Sequence, residues 1–181
     1  MARHNTTRFA VLGALAWQPM SGYDIKKALD RSVSHFWSEN FGHLYPVLRQ
    51  LAAEGLVTQK REQSGRRPAK SVYRLTDRGE DELGRWLASE PGAAPRRNEL
   101  LLQLFFGRRL DKTTLRDKIR RERERQVGAQ ATLAAVRDEI KKAHAGPDGA
   151  LWLLTLRYGE LMSEAAVKWC DECERWAARA R

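Results

Sequence analysis

Asn40-Phe-Gly-His-Leu-Tyr-Pro-Val-Leu-Arg-Gln-Leu-Ala-Ala-Glu-Gly-Leu-Val57 is the stretch whose reading decides the fold. Leu44, Leu48 and Leu51 recur at helical spacing, Gly55 stands where a helix stops, and Leu56-Val57 opens a strand. One face of this helix is therefore core. The other carries His43, Tyr45, Arg49 and Gln50, with no acid until Glu54. Hydrogen-bond donors, a cation and an aromatic suit a nucleic-acid groove, where side chains must reach phosphates and base edges. The plainer reading is an amphipathic helix with a wet side, and the flanking sequence weighs against it. Pro46 lacks an amide proton and is tolerated only near a first turn, so regular helix begins near Gly42 or His43 within a span of about 41–54.

Upstream, Phe9, Leu12, Leu15 and Ala16 keep helical spacing until Gln18-Pro19 breaks it, which predicts a first helix over about 6–17. Within the polar residues 1–8, Arg3, His4 and Arg8 are available as an arm. Ser21-Gly-Tyr-Asp24 has the pattern of a capping box and starts a second helix, with Ile25, Ala28 and Leu29 inward. Phe36 and Trp37 are expected to plug the corner before Ser38-Glu39-Asn40 supplies the turn into the third helix. Two helices joined by a short polar turn and preceded by another are what a helix-turn-helix requires.

Downstream the period changes. Residues 56–62 and 70–76 are rich in strand formers and flank Gln63-Ser-Gly-Arg-Arg-Pro-Ala69, whose Gly and Pro turn the chain. The result is a hairpin with a basic tip, and residues 55–75 hold Lys60, Arg61, Arg66, Arg67, Lys70 and Arg74 against Glu62 alone. Such a loop is either merely solvated or a clamp on a phosphate backbone. A helix-turn-helix followed by a basic hairpin makes a winged helix, and the conjunction is more specific than either part. Thr76 caps a fourth helix with acids in its first turns and Leu83, Trp86 and Leu87 as its apolar stripe. Pro91-Gly-Ala-Ala-Pro-Arg-Arg97 closes it, dividing the chain into 1–90 and 91–181.

The second part reads as helix throughout: a short buried helix over Leu100–Phe106, a long one from Thr114 to about His144, and a last one over about 150–179. Arg120-Arg-Glu-Arg-Glu-Arg125 is an exposed face laced with local ion pairs. Leu151, Leu154, Tyr158, Leu161, Ala165, Trp169, Cys173 and Trp176 fall at three- and four-residue steps on the last helix. A stripe of that length on a helix hairpin calls for a partner surface, and a second copy of the chain is the economical one. Leu154, Tyr158, Leu161, Ala165 and Trp169 are its expected dimer contacts.

The chain has 181 residues, enough for one core plus a helical appendage, and a formal charge of +10 that favours a polyanionic partner. The excess is spread, with 14 Lys and Arg against 10 Asp and Glu in residues 1–90 and 19 against 13 in residues 91–181. No apolar run approaches the roughly 18 residues that span a bilayer and none resembles a signal sequence, so a cytoplasmic protein with no membrane partner is expected. Cys170 and Cys173 form a C-x-x-C inside a helical stretch with no second ligand pair to complete a metal site. They read as two small residues on a packing face, with a metal shared between two chains as the alternative. The four His are scattered, no Gly-rich phosphate loop occurs, and the carboxylates are accounted for by caps and surface pairs, so neither an enzyme nor a cofactor is expected.

Several of these motifs occur together in a known family. Val11-Leu-Gly-Ala-Leu15, Met20-Ser-Gly-Tyr-Asp-Ile25, His43-Leu-Tyr-Pro46 with Leu48 and Leu51, Glu54-Gly-Leu56, and Val72-Tyr-Arg-Leu-Thr76 with Gly79 resemble the PadR-like transcriptional regulators across about residues 8–88. Leu100–Phe106 and the two long helices are similar to the family's C-terminal dimerisation region, with looser motifs. The resemblance implies a mainly α protein with a small β-hairpin: a homodimeric winged helix that binds operator DNA, generally as a repressor released in some members by a small molecule. It leaves the effector open.

On this reading the third helix enters the major groove of double-stranded DNA while the wing holds phosphates or the minor groove. The expected DNA contacts are Asn40, His43, Tyr45, Arg49, Lys60, Arg66, Arg67 and Lys70, with packing against the second helix as the alternative for Tyr45. Six Trp in a small chain suggest an aromatic-lined effector site, either between the winged helix and the C-terminal helices or at the dimer seam, with Trp86, Trp152 and Trp169 as its candidates. Core or interface packing is the alternative for each. The reading from another class is a winged helix used as a protein-interaction module on a helical scaffold, with no operator binding.

Overall fold

The computed structural model describes residues 6–34, 36–37, 44–63, 70–92, 97–143 and 146–179. They divide into two compact units, Met1–Ala93 and Ala94–Arg181. In the first unit the order is α1 (Thr6–Trp17), β1 (Met20–Ser21), α2 (Gly22–Ser32), α3 (Leu44–Ala53), β2 (Val57–Glu62), β3 (Lys70–Leu75) and α4 (Asp77–Leu87). The second holds α5 (Glu99–Phe105), α6 (Lys112–Ala143) and α7 (Pro147–Arg179).

The local signals that start and stop these helices are made as the residue chemistry requires. Ser21 Oγ accepts the Asp24 amide at 3.2 Å and donates to the Asp24 carboxylate at 2.6 Å, closing the capping box of α2. Thr76 Oγ1 accepts the Gly79 amide at 3.1 Å and donates to the Gly55 carbonyl at 2.9 Å, so one side chain caps α4 and ties it to the end of α3. At Gly55 the backbone turns left-handed, φ 71°, and the Leu56 amide reaches back to the Leu51 carbonyl at 2.9 Å. This is the glycine-terminated helix end in which a Cβ would be strained. Pro46 is the third residue of α3, where its missing amide proton costs no intrahelical bond. Residues 41–43 of the expected span lie outside the described residues.

Phe9, Leu12, Ile25, Leu44, Leu48, Leu51 and Val57 form the centre of the first unit's core. Of these, Leu12, Ile25, Leu44, Leu48, Leu51 and Val57 are among the largest fully buried side chains. Each Leu or Ile so placed stabilises the fold by about 1.5–3 kcal/mol relative to exposure. The hairpin pairs Val57 with Leu75 and Glu62 with Lys70. It carries a third strand that the sequence reading lacked, since Met20 and Ser21 pair antiparallel with Tyr73 and Val72, giving the order β1-β3-β2. Two residues are too short a run to carry a strand period, and the strand exists only because β3 offers its free edge.

Three further expectations need correction. Phe36 is exposed rather than a core plug; after α2 ends at Ser32, with Val33 as its C-cap, the Phe36 and Trp37 amides both return to the Val33 carbonyl, at 3.1 and 2.8 Å, in a turn that leaves the Phe36 ring outward. Arg8 is no free arm, because its guanidinium donates to Glu54 at 2.5 Å across the start of α1 and the end of α3. The short helix α5, capped by Asn98, is not buried: Leu101, Leu102, Phe105 and Phe106 are all exposed.

In the second unit α6 and α7 form an antiparallel helix hairpin. Their buried positions recur at multiples of seven residues, Ile119 and Leu133 on α6, then Leu156, Ser163, Cys170 and Ala177 on α7. That is the seam of a two-helix coiled coil, and the small α7 residues let the helices approach. Arg123 to Asp171 at 2.7 Å and Arg137 to Glu160 at 2.9 Å cross it, while the Arg116 guanidinium donates to the Ala177 carbonyl at 3.1 Å. The α7 residues that the sequence reading grouped as one stripe lie apart from this seam. Leu151, Leu154, Tyr158, Leu161 and Trp176 are exposed, and Trp169 and Cys173 half-buried.

Candidate nucleic-acid interface

With Leu44, Val47, Leu48 and Leu51 of α3 buried, the outer face of this helix presents Tyr45 and Arg49, both exposed. Tyr73 of β3 is buried where β3 pairs with both β1 and β2. Burial pushes the Tyr73 phenol above its ordinary value of 10.0; Tyr45 acts in the same direction and Arg49 against it. Gln50, next on the helix, is engaged elsewhere, donating to Glu54 at 2.8 Å. That bond, burial and the Arg8 ion pair act on the Glu54 carboxyl, and the net effect holds it below the usual carboxylate range.

Lys60 stands exposed on the edge strand β2, in register with Val72. Lys70, at the start of β3, lies 3.5 Å from the Asp24 carboxylate, a solvent-exposed pair that salt weakens and a phosphate can displace. Asp24 is thereby shared between its own cap and the base of the wing. Asn40, His43, Arg66 and Arg67 lie outside the described residues. Of the expected DNA contacts, the structure thus brings Tyr45 and Arg49 together on α3 and sets Lys60 and Lys70 on separate strands of the hairpin. The sequence reading missed Tyr73, whose burial depends on strand pairing between segments distant in the chain.

The three tryptophans expected at an effector site are not equivalent. Trp86 is stacked flat on Phe9, ring centroids 4.7 Å apart at 4°, against the core of the first unit. Trp152 and Trp169 are half-buried on α7. An open groove of about 750 Å³ in the first unit is lined by charged groups, among them Arg8, Glu54, Arg78, Asp81 and Arg85, rather than by aromatics. Burial pushes the thiols of both Cys170 and Cys173 up.

A three-helix core, a helix with its outer face free and a basic antiparallel hairpin after it define a winged helix-turn-helix, the architecture of a DNA-binding protein. Residues 11–85 match the transcriptional regulator PadR-like family, and residues 96–176 match the virulence activator alpha C-terminal region. Residues 11–85 thus form a domain of the PadR-like family of transcriptional regulators. It is 34% identical over 100 residues to the negative transcriptional regulator PadR of Bacillus subtilis, a match spanning 55% of each chain. It is 29% identical to the probable transcriptional regulator Rv1176c of Mycobacterium tuberculosis, over 90% of this chain and 93% of that one. The crystal structure of Bacillus subtilis PadR in complex with operator DNA superposes with a TM-score of 0.83 at 25% identity, covering 96% of this chain and 99% of that one. These relatives are named as regulators of transcription, not as enzymes.

Proposed function

We propose that the protein is a cytoplasmic, sequence-specific repressor that acts as a homodimer on an inverted-repeat operator and is released by a small aromatic molecule. The observation that carries the reading is the outer face of α3, where Tyr45 and Arg49 stand exposed on a helix whose opposite face is wholly core. That helix would enter the major groove, with Asn40 and His43 at its leading end and Arg49 reaching guanine or phosphate. Arg66, Arg67, Lys60 and Lys70 would hold the backbone through the wing. Repression rests on the name of the Bacillus relative, a negative regulator. Dimerisation rests on the exposed Leu154, Tyr158 and Leu161, with Ala165 and Trp169 continuing their line. Trp86, Trp152 and Trp169 are the residues proposed for an effector wall, Trp86 with its ring stacked on Phe9 and the other two half-buried on α7. No observation favours the protein-interaction alternative.

Sequencing the DNA that the purified protein retains from sheared genomic fragments tests the reading. The expected result is a small set of fragments sharing an inverted repeat, its half-sites about one helical turn apart or a small multiple of it. Retention without a shared sequence would remove the claim of specific regulation.

A further inference from the structure

We propose that Gly22 is a positioning residue for operator recognition, its bare Cα forming the socket that seats the Tyr45 ring on the outer face of α3. The proposal rests on the reading of α3 as the recognition helix and names what sets that helix's aromatic contact. Gly22 is the first residue of α2 and is buried. Its φ is not positive, so the backbone does not demand glycine there. The demand is steric. A Cβ at this position would lie 2.8 Å from Tyr45 Cε1, 3.3 Å from Tyr45 Cζ and 3.3 Å from Leu48 Cδ1. Carbon atoms in ordinary contact stand about 3.5–4.0 Å apart, so something must move. Leu48 is fully buried in a packed core, whereas Tyr45 is 55% exposed and has open solvent to turn into. The ring of Tyr45 is what yields.

The same end of α2 also holds the wing. Ser21 caps the helix and fixes the Asp24 carboxylate, and Asp24 faces Lys70 at the start of β3. Ser21, Gly22 and Asp24 therefore set the recognition helix and the hairpin against one reference point. In this arrangement Tyr45 and Arg49 share the outer face of α3, and displacing the Tyr45 ring changes the donor geometry offered to a base edge while leaving the wing cations in place.

The test is a double-mutant cycle on the full chain, with binding to an operator fragment and to a duplex of unrelated sequence followed by fluorescence anisotropy. Gly22→Ala and Tyr45→Ala are each expected to weaken operator binding about tenfold, the size of effect that one specific base interaction carries, with little change on unrelated duplex. In the Gly22→Ala/Tyr45→Ala double variant, where removal of the Tyr45 ring leaves room for the new methyl, no further loss is expected. Because Gly22→Ala alone risks misfolding, urea unfolding accompanies every variant, and the double variant supplies a background relieved of the clash. Unchanged operator affinity in a folded Gly22→Ala, or a further tenfold loss when Gly22→Ala is added to Tyr45→Ala, would overturn the proposal alone. A native chain that binds no DNA would retire the recognition reading and this proposal together.

Discussion

Asp24 illustrates how much a single side chain is asked to do in the first unit. Its carboxylate accepts the Ser21 hydroxyl at 2.6 Å, faces Lys70 at 3.5 Å, and is held below its ordinary value of 3.8, with the Ser21 hydrogen bond the largest cause. A carboxyl whose folded pKa is depressed stabilises the fold fully above its unfolded value and loses that contribution as pH falls through the folded one. Replacing Asp24 by Asn should therefore lower stability at pH 7 and matter progressively less below about pH 4, read by urea unfolding across pH 3–7. A deficit independent of pH would assign the loss to packing instead. Gly79 makes a second residue-scale case, because a Cβ there would stand 2.1 Å from the Leu56 carbonyl oxygen, a backbone atom that cannot swing aside. Gly79→Ala should cost about 1–3 kcal/mol, measured as a lower urea midpoint at unchanged slope. The caps at Ser21 and Thr76 were legible in the sequence because donor and acceptor lie three residues apart. The roles of Gly22 and Gly79 were not, because each is defined by an atom contributed from more than twenty residues away.

Among the elements, the ones that sequence specified were those whose apolar period is their own. The core residues Leu44, Leu48 and Leu51 give α3 its buried side wherever it docks, and the strand formers on either side of the Gly- and Pro-containing segment 63–69 mark the two strands without reference to anything else. Elements that borrow their environment were read less well: β1 needs the edge of β3, the arm residue Arg8 is claimed by Glu54, and α5 shows solvent the apolar side chains that a core helix would hide. The interface follows the same division. Tyr45 and Arg49 were legible as the wet side of a helix, but the burial of Tyr73 was not, since it depends on β3 pairing with strands on both sides. For the hairpin as an element, the charge of its tip makes the prediction. Replacing Arg66 and Arg67 together by Ala should weaken binding to all duplexes similarly and flatten the dependence of log Kd on log salt by about two units, one for each phosphate no longer neutralised. An unchanged salt slope would take the wing out of the DNA interface.

At the scale of the whole molecule, α7 has two apolar faces with different tasks. One is the heptad seam of Leu156, Ser163, Cys170 and Ala177, satisfied by α6 within the chain. The other, through Leu154, Tyr158 and Leu161, is left to solvent over a helix of 33 residues, about 50 Å long. We propose this exposed face as the association site, since a two-fold pairing through it would bring two winged helices to two half-sites. Substituting each face separately distinguishes the tasks. Leu156→Ala should destabilise the hairpin by about 2–5 kcal/mol through the cavity it leaves, with unchanged association at temperatures where it stays folded. Leu161→Asp places a charge on the outer face, 49% exposed in the single chain, and so should cost the folded chain little while opposing burial between two copies. The expected outcome is a folded monomer by sedimentation velocity, with native helical circular dichroism, that has lost operator affinity but retains weak binding to any duplex, because one winged helix alone still reaches phosphates. A Leu161→Asp chain that sediments as the native one does would move the interface off this face, and a native chain that is itself monomeric at micromolar concentration would leave the outer stripe without its second copy.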